Sequence, residues 1–308
     1  MRTQLSKLAL TATIQPQQGD PTMKTPKLIA IFLAIFAIAT YAENADQLKK
    51  TIADYVGCTG NLTTTVKVGN LTTTIKVDTV TITDTLNCKS SKILTLNIDS
   101  NVRVVWKANF TGNVINELIV KKGKGDLVID GGFIKNNTSN SVYNAIRIDE
   151  GNLFIHKGEI SAGAGYGVRN NSTGTVTITG GNISMSGGSR GSSSSVGVYN
   201  ASTGTVNISG NTTISAGHAV QNTSTGTVNI SGGTLSGASA VYNVSTGTVN
   251  ISGGIMTSVE DKTIFGLSSG GTINISGGEI SANKGVAVSS AGKVIISPPA
   301  KITSITSK

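Results

Sequence analysis

The chain has 308 residues, of which 13% are charged and 4% are aromatic, and it carries a formal net charge of +9. Regular valine and isoleucine at low charge exclude a disordered chain, which needs high charge and few β-branched residues. Binding to nucleic acid through a continuous basic stripe is also excluded, because Arg190 is the only charged residue between 170 and 259.

The N-terminus has the pattern of an export signal. A short basic segment (MKTPK, 23–27) precedes an apolar run (LIAIFLAIFAIA, 28–39), and small residues stand before a predicted cleavage site after Ala42. The apolar run is short for a membrane span, although an uncleaved anchor is the alternative. We therefore predict Met23 as the true start, residues 1–22 as a mis-assigned extension and residues 23–42 as a signal peptide.

Cleavage after Ala42 has two consequences for the remaining chain. It removes four basic residues and one aspartate, so the net charge falls from +9 to +6. It also predicts a secreted or cell-surface protein without a membrane span after the signal is removed.

Residues 43–92 are predicted to form an N-terminal cap followed by irregular first strands. The segment NADQLKKTIADYV (44–56) predicts an amphipathic helix with Asn44 as its N-cap. A solenoid exposes an apolar end, and a short amphipathic helix there would cover it.

A nine-residue duplicate follows the predicted cap, and a pair of cysteines flanks it. GNLTTTVKV and GNLTTTIKV (60–77) allow either a hairpin turning at Gly69–Asn70 or irregular first coils. Because an exported chain permits a disulfide, we predict a bond between Cys58 and Cys88, with two free thiols as the alternative.

Residues 93–308 contain an internal repeat. The segment STGTVNISGG occurs at 224–233 and again at 245–254, and the glycine of its "GT" has counterparts 21 to 30 residues apart. Recurrence at such a period is typical of stacked coils, in which added residues form loops at the corners. These glycines are Gly125, Gly151, Gly174, Gly204, Gly226, Gly247, Gly271 and Gly292.

Within each repeat, apolar and polar residues alternate as a half-buried strand requires. Two aliphatic residues per coil are predicted to point inward. The first file is Leu127, Leu153, Val176, Val206, Val228, Val249, Ile273 and Val294, and the second is Ile129, Ile155, Ile178, Ile208, Ile230, Ile251, Ile275 and Ile296. Glycine pairs then break the strand, and two further short strands complete a coil of about 21–23 residues.

Four asparagines recur just after the third strand of successive coils: Asn170, Asn200, Asn222 and Asn243. Stacked amides at a corner can hydrogen-bond along the stack. With this period, these asparagines and the predicted cap, residues 44–308 resemble secreted bacterial right-handed parallel β-helix proteins of the pectate-lyase-like fold, including adhesin-type passenger domains. The resemblance implies an all-β fold with three short parallel strands per coil.

Three residues are the weak candidates for catalysis. Counting along the first strand places Asp126 beside Asn152 and Asp130 beside His156 in the next coil, about 5 Å apart. Such an acid and base could serve a polysaccharide lyase or a glycoside hydrolase. Enzymes of the resembling fold carry several clustered acids, which this chain lacks, so a surface ion pair is the favoured interpretation.

The third strand supplies the candidate ligand-binding residues, one position beyond its inward aliphatic residue. Planar guanidinium, phenol and amide groups aligned on a rigid ribbon could contact sugar rings, although a stack of neighbours on a sheet explains them equally. The file is Arg147, Arg169, Tyr199, Gln221, Tyr242 and Phe265, followed by Ser289.

The sequence thus predicts an exported, non-enzymatic β-helix that acts as an adhesin-like or carbohydrate-contacting element, with a polysaccharide or cell-surface glycan as partner. A polysaccharide-active enzyme is the alternative. A minor alternative is an ice-binding solenoid, suggested by an outward threonine file at Thr175, Thr205, Thr227, Thr248 and Thr272. No cofactor or metal site is expected from the residue patterns.

Overall fold

A computed structural model of the chain describes residue 47 and residues 58–67, 78–88, 93–100, 102–137, 143–185, 195–259 and 262–304. These residues form a parallel β-solenoid of about eight turns. Gln47 is helical, but the rest of the helix predicted at 44–56 lies outside the described residues, as do the signal segment and residues 1–22.

Each coil contributes one strand to each of three faces, as the repeat predicted. We call the face formed by the first strand of each coil face 1, and the faces formed by the second and third strands face 2 and face 3. Five strands are long enough to continue from face 1 onto face 2: β2 (Asp78–Cys88), β7 (Asp126–Asn136), β9 (Asn152–Ala162), β17 (Thr227–Gly237) and β19 (Thr248–Ser258). The other strands of face 1 are β4 (Val102–Trp106), β11 (Thr175–Ile178), β14 (Thr205–Ile208), β21 (Thr272–Ile275) and β24 (Lys293–Ile296). Those of face 2 are β5 (Asn109–Gly112), β12 (Asn182–Met185), β15 (Thr213–Ser215), β22 (Glu279–Ala282) and β25 (Lys301–Ser304).

Face 3 is a separate sheet of nine parallel strands. In chain order these are β3 (Leu94–Asn97), β6 (Glu117–Lys122), β8 (Asn144–Ile148), β10 (Gly165–Asn170), β13 (Ser195–Asn200), β16 (His218–Asn222), β18 (Ser239–Asn243), β20 (Lys262–Gly266) and β23 (Val286–Ser290). Each strand pairs with its counterparts in the preceding and following coils.

The core lies along the axis of the solenoid and consists of the predicted aliphatic files. Val228 pairs with Val206 on one side and Val249 on the other, and Ile230 pairs with Ile208 and Ile251 in the same way. These side chains are at most 1% exposed. Both predicted files are confirmed from β7 to β21, whereas Ile296 on β24 is 54% exposed. Burial of this continuous column of valine and isoleucine is the main stabilising contribution.

Two kinds of glycine are required by the coil geometry. Gly254, at the corner between faces 1 and 2, has a φ of 91°, which L side chains rarely adopt. Gly247, the glycine of the "GT" pair, has an ordinary φ, but a Cβ there would clash with Nδ2 of Asn222 in the previous coil. The repeated glycines are therefore explained by backbone conformation at one corner and by close approach at another.

The predicted asparagine stack forms a continuous buried ladder. Asn170 donates to Asn200 at 2.9 Å, Asn200 to Asn222 at 3.0 Å, and Asn222 to Asn243 at 3.0 Å. The same amide of Asn222 also donates to the carbonyl of Gly226 at 3.1 Å. Because all four side chains are at most 1% exposed, each bond forms away from water.

A second amide ladder, which the sequence analysis did not identify, runs along the outside of face 1. Asn229 donates to Asn207 at 2.9 Å, Asn250 to Asn229 at 2.8 Å, and Asn274 to Asn250 at 2.8 Å. These side chains are half-buried. The chain therefore has a buried ladder and a partly exposed ladder of the same chemistry.

The first strand runs in the opposite direction to the rest. Strand β1 (Cys58–Lys67) pairs antiparallel with β2, and this pairing places Cys58 opposite Cys88. The described partner of β1 therefore begins at Asp78, after the duplicate ends, and residues 68–77 lie outside the described part. β1 covers the strand edge that β2 would otherwise expose.

The two asparagine ladders allow a matched test of burial. Asn222→Ala should lower the free energy of unfolding by about 1–3 kcal/mol, because it removes the buried hydrogen bonds of Asn222 to both neighbouring amides of the ladder and leaves Oδ1 of Asn243 without its donor. Asn229→Ala should lower it by less than about 1 kcal/mol, since water can replace the lost bond. Urea denaturation of both variants measures this difference, and equal losses would contradict the assigned burial.

The backbone register also makes the predicted disulfide testable. Directly opposed residues in an antiparallel pair have Cα atoms about 4.5–5.5 Å apart, inside the range of about 4.4–6.8 Å that a disulfide spans. Denatured protein should therefore take up no iodoacetamide before reduction and two equivalents after it, as measured by intact mass. Cys88→Ser should take up one equivalent without reduction. Two equivalents on the unreduced wild type would show free thiols instead.

Candidate functional site

The outward file predicted on face 3 is aligned in register from coil to coil. Arg147 pairs with Arg169, Arg169 with Tyr199, Tyr199 with Gln221, Gln221 with Tyr242, Tyr242 with Phe265, and Phe265 with Ser289. Every member is half-buried, with its side chain on the outer surface. The structure thus brings all the candidate ligand-binding residues into one straight line along the solenoid.

The aromatic members of this line stack on their neighbours. The rings of Tyr242 and Phe265 have centroids 5.2 Å apart and are almost parallel, with an angle of 4° between their planes. Tyr199 stacks on Tyr166 of the previous coil at 4.2 Å and 19°. The ring faces inside each stack are therefore turned toward each other, and ligands can reach only the edges of these rings or the faces at the ends of a stack.

A second file lies three residues before the first, and the sequence analysis did not identify it. It contains Tyr166, Val196, His218 and Ser239 in register. Strict alternation would turn a residue three positions away to the opposite face. Here the pairing skips the intervening position, at Gly197 and Ala219, so that Ala219 and Val220 are both fully buried. This bulge-like irregularity places the largely covered ring of His218 on the same side of the sheet as the ring of Tyr242.

The two arginines differ in how they are held. Arg147 contacts Glu117 at 2.8 Å and donates to both carboxylate oxygens of Asp149, at 2.8 and 3.0 Å. The hydrogen bonds to Asp149 raise the pKa of Arg147. Arg169 donates to Asn171 and lies over the rings of Tyr166 and Tyr199, 5.7 and 5.8 Å from their centroids. Arg169 is thus the better placed of the two for contact with a ligand.

His218 lies in the same coil as Gln221, and its ring packs against Tyr242 of the following coil. Its ring centroid is 4.7 Å from that of Tyr242, with the planes tilted by 43°. Only 7% of His218 is exposed, and its Nδ1 has no hydrogen-bond partner among the described residues. Burial lowers the pKa of His218 below the usual value of 6.5, so the imidazole is neutral at pH 7.

The predicted pairing of Asp130 with His156 is wrong. The register of β7 against β9 shifts between Ile129 and Asp130, so that Asp130 pairs with Lys157. The shift occurs beside the glycine corner at Gly131, where the strand bends onto face 2. His156 is exposed, and its nearest described ring is Phe154 at 6.4 Å.

The two candidate carboxylates are engaged in ion pairs. Asp126 contacts Arg103 at 3.0 Å and accepts a hydrogen bond from Asn152 at 3.1 Å. Asp130 contacts Lys107 at 3.2 Å. Both carboxylates therefore form surface ion pairs, but with Arg103 and Lys107 and not with His156 as predicted. The three candidate residues form no preassembled acid–base pair.

One further ionisable group is buried in the core. Lys121 is fully buried and donates to the backbone carbonyls of Gly123 and Glu150, and burial lowers its pKa to about 8. Lys121 has the same register position that Asn170 has two coils later. Like the buried asparagines, it donates hydrogen bonds to carbonyl groups at the corner of the coil. Its role is therefore structural.

The remaining surface offers few chemical groups. Within the described ranges there is no cluster of three or more histidine, cysteine or acidic residues that could hold a metal ion, and no helix that could span a bilayer. An open cleft of about 360 Å³ at the corner between faces 1 and 2 is lined mainly by glycines, Thr234 and Ile255. The threonine file of face 1 is in register and half-buried, beside the asparagine ladder.

Comparisons with known proteins identify no relative of this chain. No protein-family model, curated protein or solved structure matches the chain. The fold defines the class of this chain, which is a parallel β-solenoid with a line of planar side chains on one face.

The buried imidazole predicts a pH dependence of stability. Because the pKa of His218 is lower in the folded than in the unfolded chain, the unfolded chain binds more protons as the pH falls below 6.5, and stability decreases. His218→Phe keeps a ring against Tyr242 without this titration. Urea midpoints at pH 7.0 and 5.5 should therefore fall more for the wild type than for the variant. An equal fall in both proteins would contradict the assignment.

Proposed function

We propose that this chain is an exported, non-enzymatic β-helix of the pectate-lyase-like, adhesin type. It would act at a cell surface or outside the cell as a rigid element that contacts glycans through face 3. The observation that carries the proposal is the straight outward line of arginine, tyrosine and glutamine side chains along a stiff core. Aromatic edges and planar polar groups at fixed spacing suit a polymer that repeats along its own axis.

Three further features support this function. The basic segment and apolar run at 23–42 support export. The continuous buried core gives a scaffold whose outward groups keep their spacing. The uncharged polar surface of residues 195–259 favours contacts through hydrogen bonds and apolar area over contacts through charge. The alternative of a polysaccharide-active enzyme has less support, because Asp130 pairs with Lys157 and not with His156.

Retention on insoluble polysaccharides and on whole cells tests the proposal. The wild-type protein should be retained on at least one polysaccharide without releasing reducing ends or unsaturated sugars. The double variant Tyr199→Ala, Tyr242→Ala should be released, because it removes one ring from each aromatic stack.

A matched control is available on another face. The double variant Thr227→Ala, Thr248→Ala changes two residues that are also in register, but on face 1, and it should be retained like the wild type. Release of both double variants would assign binding to the solenoid surface in general. Release of sugars by the wild type, abolished in Asp130→Asn, would establish the enzyme alternative.

A further inference from the structure

The open cleft at the corner between faces 1 and 2 spans three successive coils. Its lining includes Gly210 and Asn211 in the first coil, Gly233 and Thr234 in the second, and Gly254 and Ile255 in the third. Its volume of about 360 Å³ lies at the lower end of the range of about 300–1,000 Å³ that is typical of ligand pockets. The cleft therefore suits a small ligand that lies along the corner.

An extra residue in the first of these coils determines where the cleft begins. Ile208 pairs with Ile230 on face 1, and Ile214 pairs with Leu235 on face 2. Five residues lie between Ile208 and Ile214, but only four lie between Ile230 and Leu235. The longer corner contains Asn211, whose Oδ1 lies against the corner glycine of the preceding coil. The side chain of Asn211 therefore closes one end of the cleft.

Glycines form the floor of the cleft in the two following coils. Gly233 has a φ of 87° and Gly254 a φ of 91°, a conformation that L side chains rarely adopt. Because side chains are disfavoured at these corners, the floor is backbone, and a ligand can approach it closely.

Ile255 is an apolar exception on the wall of the cleft. In its file it follows Thr234 and precedes Glu279. Ile255 is 46% exposed, and no other large apolar side chain of residues 195–259 is exposed. A single exposed isoleucine is ordinary on a protein surface. Here, however, the isoleucine borders a cleft whose neighbouring wall is polar, which is the combination that binding pockets use to hold and orient a ligand.

The polar part of the wall is neutral. Thr234 is exposed, and no hydrogen bond is found between its hydroxyl and any described residue. Residues 195–259, which supply the whole lining, contain no lysine, arginine, aspartate or glutamate. Glu279, which follows Ile255 in the file, contacts Lys301 at 3.0 Å. The lining therefore selects for a ligand that combines a small apolar group with neutral hydrogen-bonding groups.

We propose that the cleft binds one N-acetylated sugar residue of a neutral glycan. The methyl group of the acetamido substituent packs against Ile255, and the amide N–H donates to the hydroxyl of Thr234. The sugar ring lies over the backbone at Gly233. An acetamido group joins a methyl group to a neutral amide, so it complements both parts of the wall. This site goes beyond the proposed contact of face 3 with glycans, because it lies on another edge of the solenoid and uses none of the face 3 residues.

Saturation-transfer difference NMR with the trimer of N-acetylglucosamine tests the site directly. Irradiation of the protein methyl protons should give the strongest ligand signal at the acetyl methyl group, because this group lies against Ile255. The β-1,4-linked glucose trimer, which lacks the acetamido group, should give no signal.

A change of the apolar wall assigns the signal to the cleft. Ile255→Thr should fold, because threonine already occupies the two preceding positions of the file, Thr213 and Thr234. Its affinity for the trimer should fall at least about fivefold, because the apolar contact is lost. Ile115→Thr is the matched control, since Ile115 is 55% exposed and lies outside the cleft. Its affinity should stay within about twofold of the wild type.

The remaining outcomes separate the cleft from face 3. The Tyr199→Ala, Tyr242→Ala variant should bind the trimer like the wild type, and loss of binding in this variant alone would assign the trimer to face 3 and overturn the cleft proposal. Unchanged affinity of Ile255→Thr, equal signals from the glucose trimer, or no signal from the wild type would also overturn it. None of these three results contradicts the function of face 3, which retention on insoluble polysaccharides tests. Circular dichroism spectra that match the wild type establish that the variants are folded.

Discussion

Parallel stacking of coils in register is the constraint on which the rest of the structure depends. Each residue lies about 4.8 Å from its counterpart in the next coil, so every side chain must be compatible with a near-copy of itself. Aliphatic groups, amides and aromatic rings meet this requirement, as the valine and isoleucine files, the asparagine ladders and the stacked rings show. Identical charges meet it less well, because like charges directly opposite each other repel. Where Arg147 faces Arg169, the carboxylates of Glu117 and Asp149 neutralise Arg147.

This constraint explains where charges occur. In the uncharged coils of residues 195–259, every file can repeat without repulsion. Elsewhere, ion pairs join residues that face each other across adjacent coils: Arg103 pairs with Asp126, and Glu279 with Lys301. The chain therefore replaces like-on-like stacking with opposite charges at these positions. The low charge content follows from the fold, and it makes contacts through hydrogen bonds and apolar area the natural mode of recognition.

The same constraint shapes the candidate site. Aromatic residues of adjacent coils stack on each other, and this stacking removes the ring faces inside each stack from contact with a ligand. The file of planar groups is broken at Gln221, and in that coil the imidazole of His218 packs against the ring of Tyr242 instead. The buried, unpartnered imidazole of His218 lies at the same break.

The sequence by itself determined the solenoid, its inward files, the buried asparagine ladder and the outward line of face 3, because alternation and period follow directly from residue spacing. Only the tertiary structure decided the antiparallel pairing of β1, the shift that separates Asp130 from His156, and the packing of His218 against Tyr242. Each of these depends on a local break in alternation or pairing, at a glycine corner or a bulge. Contacts between coils determine where such breaks occur. These contacts cannot be inferred from residue spacing within one strand.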